Sequence, residues 1–318
     1  MNRKPSEFAV NSVAKIISVT QLDNLDLIES SNAFNESRPC HIYMICKRPR
    51  IRFVKDQFKD HGEFLNLGFK IQNQDDYDEL EIEIANPFKG SKVEVESEYP
   101  NSTFFFKTEH GSFESKTAPF LQSASIDAFP RDFLDLEVLY VGQSYGVNGA
   151  RTAPERLKKH ETLQAIYSES LNKNPDQEIW LVLFSFDQKG IMILDGRRDF
   201  TSSERDIDKP RATNFLNKIY DGGIQEQQFI NFTEAALIRY FKPAYNKDYI
   251  KTFPNPAHKT YKQCYELDVN SVIVEIDTLS SVGIKLYSKQ VEKQDIHFAE
   301  FNMHNEKERK SMFDFSDI

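Results

Sequence analysis

The sequence predicts an α+β chain, a β-rich first third followed by a mixed α/β region, and three observations carry this. Up to about residue 115 the apolar residues fall in short runs bounded by Pro, Gly and Asn, and Leu80-Glu81-Ile82-Glu83-Ile84 alternates as a half-buried strand does. Beyond about residue 130 the strand-like runs are interleaved with segments of helical period. The 318 residues suffice for two domains. The expected division is a β-rich module over 1–115, an α/β domain over 116–290 and a C-terminal extension over 291–318.

In the first third, His41-Ile42-Tyr43-Met44-Ile45-Cys46 and Ile51-Arg52-Phe53-Val54 read as strands separated by the basic Lys47-Arg48-Pro49-Arg50. Val93-Glu94-Val95 and Thr103-Phe104-Phe105-Phe106 follow, and closely spaced strands with turn signals suggest a small sandwich or barrel. Asp75-Asp76-Tyr77-Asp78-Glu79 reads as a solvated loop. Leu136 to Val141 is a strand, and a polar loop with Gly146 and Gly149 leads to a helix start at Thr152-Ala153-Pro154-Glu155. Thr at the N-cap, Pro in the first turn and Glu three residues later form a capping box. Leu157, Leu163, Ile166 and Tyr167 continue at helical spacing. Ile179 to Phe186 and Ile191 to Leu194, split by Asp187-Gln188-Lys189-Gly190, read as a hairpin. After a charged stretch, Asn231-Phe232-Thr233-Glu234 opens a helix that runs to about Phe241 and is ended by Lys242-Pro243. Ser271 to Ile276 and Gly283 to Tyr287 are further strands, and the charged segment from about His304 reads as a short helix or loose tail.

Composition bounds the function. An apolar fraction of 39% with 28% charged residues describes a globular chain, and 26 phenylalanines can fill substantial cores. The net charge of −9 argues against a dedicated non-specific nucleic-acid binder, whose affinity comes from displacing counterions, unless positive charge is gathered locally. Such gathering is present: Arg151, Arg156, Lys158 and Lys159 stand against the single acid Glu155, and Lys242, Lys247, Lys251, Lys259 and Lys262 against Asp248. Tyr245, Tyr249, Phe253 and Tyr261 interleave with the second group, a mixture suited to backbone contacts and base stacking and equally to a solvated loop over an aromatic core. Cys40, Cys46 and Cys264 form no CxxC pair, which favours a reducing compartment and argues against structural zinc. No secretory signal and no apolar run of spanning length is apparent, so the expected location is cytoplasmic, with no membrane partner.

Several residues stand out together, each with a plain alternative. Tyr140 lies on a strand two residues before Gly142, where a core or edge tyrosine is the ordinary reading. Arg156 in the first turn of the next helix can meet a phosphate bidentately or sit idle on the surface. His160, one helical turn later, is expected on the same face; alone it would be a surface histidine. Glu234 is the third helical residue after Asn231, where capping alone would account for it, and Asn246 can be a turn residue.

The order of these pieces is more specific than any one of them. Tyr140-x-Gly142-Gln143-Ser144, then Arg156-Leu157-x-x-His160, then Glu234-Ala235-x-Leu237-Ile238 ending in Phe241-x-Pro243-x-Tyr245-Asn246 resembles the GIY-YIG nuclease superfamily over about residues 136–250. The resemblance implies a small antiparallel sheet flanked by helices, and a metal-dependent endonuclease hydrolysing DNA phosphodiester bonds by in-line attack of water. It implies catalytic roles for Tyr140, Arg156, His160 and Glu234, with Glu234 as ligand to one Mg²⁺ (or Mn²⁺), and Asn246 as a support. Gln143, Arg151, Lys158, Lys159, Lys242, Asn246 and Lys247 are the expected nucleic-acid contacts. Restriction or phage defence is the setting suggested by fold-level analogy. The departure is upstream: no Gly-Ile-Tyr is found just before Leu136, since Ala118 to Ile126 contains no tyrosine. Proton handling then falls to Tyr140, His160 or Tyr145. The alternative is a catalytically degenerate domain of the same type that binds nucleic acid or protein. A protein partner or a dimer through the N-terminal module is the further expectation.

Overall fold

The computed structural model describes residues 3–88, 90–124, 129–146, 152–194, 199–305 and 307–314. Its strands are β1 (Ser6–Thr20), β2 (Ile42–Pro49), β3 (Ile51–Asp60), β4 (Phe64–Asn73), β5 (Asp76–Ala85), β6 (Glu94–Glu96), β7 (Thr103–Thr108), β8 (Gly111–Lys116), β9 (Leu136–Gln143), β10 (Gln177–Leu194), β11 (Ser271–Asp277), β12 (Leu286–Tyr287) and β13 (Ile296–Asn302). Its α-helices are α1 (Leu25–Ser30), α2 (Thr117–Ser123), α3 (Ala153–Leu157), α4 (Glu161–Lys173), α5 (Ser202–Tyr220), α6 (Glu226–Phe241), α7 (Lys262–Glu266) and α8 (Leu279–Val282).

A seven-stranded sheet in the order β12-β9-β2-β10-β1-β11-β13 organises the chain. Its pairs are antiparallel except β1 with β11 and β9 with β12. Alternation along each strand sends side chains to two separate cores. Ile42, Met44, Val182 and Phe184 face one side, with Phe215 of α5 and Phe229, Phe232 and Phe241 of α6. Tyr43, Ile45, Leu181 and Leu183 face the other, with Leu25 of α1, Leu157 of α3 and Leu163 and Ile166 of α4. The mixed α/β class is as the sequence predicts.

The division of the chain differs from the expected one. β1 and β2, expected in an N-terminal module, are interior strands of the large sheet. What stands apart is the segment between β2 and β9, whose strands form two three-stranded antiparallel sheets, β3-β4-β5 and β6-β7-β8. Phenylalanine joins them: Phe53 stacks on Phe104 at 4.5 Å, and Phe69, Phe106 and Phe120 meet Phe104 edge-on at 5.2–6.2 Å. At its stem, fully buried Arg48 lies 3.7 Å over the Trp180 ring and pairs with Glu178 at 3.2 Å.

Other expectations are corrected by packing. The acidic run at 75–79 belongs mostly to β5, with its side chains exposed, because Leu80, Ile82 and Ile84 beyond it commit the strand to the sheet. Asp187 to Gly190 is no hairpin turn: β10 runs through it unbroken, paired with Val10 to Val13 of β1. Gly190 is needed there because a Cβ would stand 2.7 Å from Ile219 of α5. The 202–220 segment, which read only as charged, is a 19-residue helix capped by Thr201 and Glu204; it buries little more than Phe215 and Asp208 and so shows little apolar period. The C-terminal segment is tied down rather than loose. β13 joins the large sheet, buried Arg309 pairs with Glu7 and with Asp268, and Arg3 donates to the Ser311 and Met312 carbonyls. No helix among the described residues is long and apolar enough to cross a membrane.

The phenylalanine cluster sets the stability of the inserted sheets. Phe104→Ala, a fully buried truncation, is expected to cost about 3–5 kcal/mol, read as a lowered urea midpoint of unfolding.

Candidate active site

The site forms where β2 and β9 run antiparallel with Tyr43 opposite Gly142 and Ile42 opposite Gln143. Tyr140 and Gly142 point to the same side of β9, so both face Tyr43. Glycine is required at 142: a Cβ would stand 2.6 Å from the Tyr43 hydroxyl and 2.7 Å from the Tyr140 ring. The two tyrosine rings lie 6.3 Å apart, and the His160 ring meets them edge-on at 5.7 Å and 5.4 Å. The place beside Tyr140, for which the sequence offered no tyrosine near residue 120, is thus filled by Tyr43.

Arg156 enters from α3, whose capping box at Thr152 and Glu155 is present as expected. Its Nε donates to the Tyr43 hydroxyl at 3.1 Å, which leaves the terminal guanidinium nitrogens to face a ligand. His160 is not one turn further along the same helix. α3 ends at Leu157, and His160 is the N-cap of α4, its Nδ1 accepting from the Leu163 N–H at 3.1 Å. The break lets Leu157 and Leu163 both reach the core. Because Nδ1 is an acceptor, the neutral ring carries its proton on Nε2. His160 is only 6% exposed, so it is not a surface histidine either.

Glu234 comes from the opposite side of the strand. α6 begins at Glu226, five residues before Asn231, because Phe229, Ile230 and Phe232 extend its buried face; Glu234 therefore lies inside the helix and closes no capping box. Gln143 faces α6, and its Nε2 donates to Glu234 Oε2 and to Asn231 Oδ1, each at 2.8 Å. Burial pushes the Glu234 carboxyl up to about 7, against the Gln143 hydrogen bonds and the Arg156 charge that favour ionisation. Burial likewise raises both tyrosines, with the Arg156 charge pulling each the other way. Glu234, Arg156, Tyr43 and Tyr140 thus sense one another at the C-terminal end of β9.

Asn246 supports this end of the sheet. Its side-chain amide donates to the Val141 carbonyl at 2.8 Å and accepts from the Val141 N–H at 2.9 Å, completing the β9 edge as another strand would. Asn246 thus clamps the backbone of β9, the supporting place the sequence expected for it. The Lys158 ammonium pairs with Asp26 and Glu29 of the α1 helix at 2.7 Å and 2.8 Å. Lys159, Lys242 and Lys247 are exposed, Lys242 as the left-handed C-cap of α6. Arg151 and Gly149 lie outside the described residues. Tyr145 packs on His41 at 5.3 Å instead of joining the tyrosine pair.

Sequence reasoning missed Tyr43. Its signal was present as Ile42-Tyr43 on an apolar strand, preceded by His41 where a glycine was sought, and the inserted sheets moved it far upstream of Tyr140. Of the residues the resemblance implies for a metal, Glu234 is the one carboxylate, and the charge of Asp248 lies near it. No group of three or more His, Cys, Asp or Glu side chains able to hold an ion occurs among the described residues. Mg²⁺ and Mn²⁺ take oxygen ligands and keep several waters, so a single carboxylate is chemically compatible with either. Comparison with family models, curated proteins and solved structures finds no match for this chain.

Two outcomes follow from the geometry. Gly142→Ala forces the tyrosines apart and is expected to cost about 1–3 kcal/mol by urea unfolding. For Glu234 the folded carboxyl titrates near 7 and the unfolded one near 4.5. Between these values the unfolded chain has released a proton that the fold retains, so stability falls as pH rises through the window and levels off above it. With a chelator present, Glu234→Gln is expected to remove that decline, worth on the order of 2 kcal/mol between pH 4.5 and 8, in paired urea titrations.

Proposed function

We propose that this chain is a GIY-YIG-type, metal-dependent endonuclease that hydrolyses DNA phosphodiester bonds. The observation that carries the reading is the convergence of Tyr43, Tyr140, Arg156, His160 and Glu234 on one end of β9 from separate elements of the chain. A surface arginine, a core tyrosine and a capping glutamate would each be ordinary. Tyr43 and Tyr140 meet around a glycine with no room for a side chain, Arg156 and His160 close on them, and Glu234 reaches the same strand end from the other face, which gathers the cation, carboxylate and hydroxyls that phosphodiester chemistry needs. In this reading His41-Ile42-Tyr43 stands for the first half-motif, with histidine in place of its glycine, and Tyr140-Val141-Gly142 for the second.

Glu234 would hold a divalent ion, which when bound would supply Lewis acidity for the reaction. Arg156, fixed through Nε on Tyr43, turns its terminal nitrogens to the non-bridging oxygens and balances the charge that grows there. Tyr140, only half-buried, orients the attacking water, while the Tyr43 hydroxyl accepts from the Arg156 guanidinium and holds it in place. His160, with its proton on Nε2, holds the tyrosine rings in place and serves as a donor. Exposed Lys159, Lys242 and Lys247 offer backbone contacts to the flanking strand.

The acidity of the chain supports rather than opposes this assignment once it is located. Residues 51–135 hold 9 Lys and Arg against 17 Asp and Glu, which accounts for −8 of the net −9. The remainder, which carries the site, is close to neutral and free to present a basic face.

The test is cleavage of plasmid DNA with Mg²⁺ and with Mn²⁺. Glu234→Ala and Arg156→Ala are each expected to lower the rate by at least about 100-fold with unchanged circular dichroism, and Tyr43→Phe by about 10–1000-fold. Cleavage by both alanine variants at the parent rate would discard the site. No cleavage by the parent, with salt-sensitive DNA binding retained, would assign the degenerate binding module instead.

A further inference from the structure

Gln143 is the residue of the site whose hydrogen bonds point least to substrate and most to another side chain. Its Nε2 forks to Glu234 Oε2 and Asn231 Oδ1 at 2.8 Å each, which uses both protons of that nitrogen. The fork is itself braced, because Asn231 Nδ2 donates to the Thr260 carbonyl at 3.0 Å and so keeps Oδ1 turned toward Gln143. Gln143 therefore has no amide proton left to read a base edge, the role its place in the motif suggested.

We infer that Gln143 is a positioning residue for the carboxylate of Glu234, its side-chain amide fixing Oε2 and with it the orientation in which the carboxylate meets a divalent cation. The inference rests on the proposed function, and goes beyond it by separating what holds the ligand from what touches DNA. β9 ends at Gln143, with Tyr140 and Gly142 on one side of the strand and the Gln143 amide on the other, so one short peptide sets both halves of the site. Thr260 extends the brace into the loop beyond α6, a segment that neither motif includes. A ligand carboxylate without such a partner is free to rotate, and loss of outer partners of this kind lowers metal affinity by about 10–100-fold.

The experiment compares the parent with Gln143→Met, which keeps the volume but has no donor, and with Gln143→Ala. Mn²⁺ affinity is measured by electron paramagnetic resonance, and cleavage is followed as a function of both Mn²⁺ and DNA. Both variants are expected to weaken Mn²⁺ binding about tenfold, to leave the KM for DNA unchanged, and to regain kcat at high Mn²⁺. In a Glu234→Met background, Gln143→Met is expected to shift the unfolding midpoint less than it does in the parent, because there only the bond to Asn231 remains to be lost. A raised KM for DNA with unchanged Mn²⁺ affinity would overturn the inference and return Gln143 to the DNA contacts. Equal shifts in the two backgrounds would also overturn it. A parent that binds no Mn²⁺ would bring down the proposed function itself, which a parent that binds and cuts normally beside unaffected Gln143 variants would not.

Discussion

The pairing of Tyr43 with Gly142 is the constraint on which the rest of the site depends. Strand pairing fixes the two backbones at a set spacing, and at that spacing only a hydrogen at position 142 leaves room for two tyrosine rings. With the rings in place, the Tyr43 hydroxyl becomes the acceptor for Arg156, and the space between rings and helix is closed by His160. The same register turns Gln143 to the other side of the sheet, where it meets Glu234. A slip of one residue would exchange these sides and separate the guanidinium from the tyrosine.

The edge of β9 explains why so polar a site is stable there. β12 pairs only with Leu136 and Glu137, which leaves the later part of β9 without a strand on that side. Asn246 satisfies the Val141 backbone and the Tyr245 N–H bonds to the Leu139 carbonyl, so the short segment after α6 takes the place of the missing strand. An edge closed by side chains rather than by a strand stays low in profile.

Much of the site was legible because its residues sit close in the chain to local signals. The capping box at Thr152 announced the helix of Arg156, and the Lys242-Pro243 stop announced the end of the helix of Glu234. What local signals described poorly was anything set by packing at a distance. His160 looked like a continuation of helical period and is instead a cap, because the chain breaks to bury two leucines. The start of α6 and the whole of α5 carried too little apolar period to be read, the one opening on exposed Glu226 and Gln227 and the other burying very few side chains. Gly190 looked like a turn residue and is instead the place where a helix presses on a strand.

Taken alone, the sequence determined the α/β class, the helix start at Ala153, the helix stop at Phe241 and the ordered set Tyr140, Gly142, Arg156, His160, Glu234 and Asn246. These follow from propensity, capping and periodicity, which act over a few residues. Only the tertiary structure decided that Tyr43 belongs beside Tyr140, that the acidic segment is an insertion between their strands, and that Gln143 faces Glu234. Antiparallel pairing has no limit on the length of chain between its partners, so two strands can be neighbours in the sheet while an entire phenylalanine-cored module separates them in sequence.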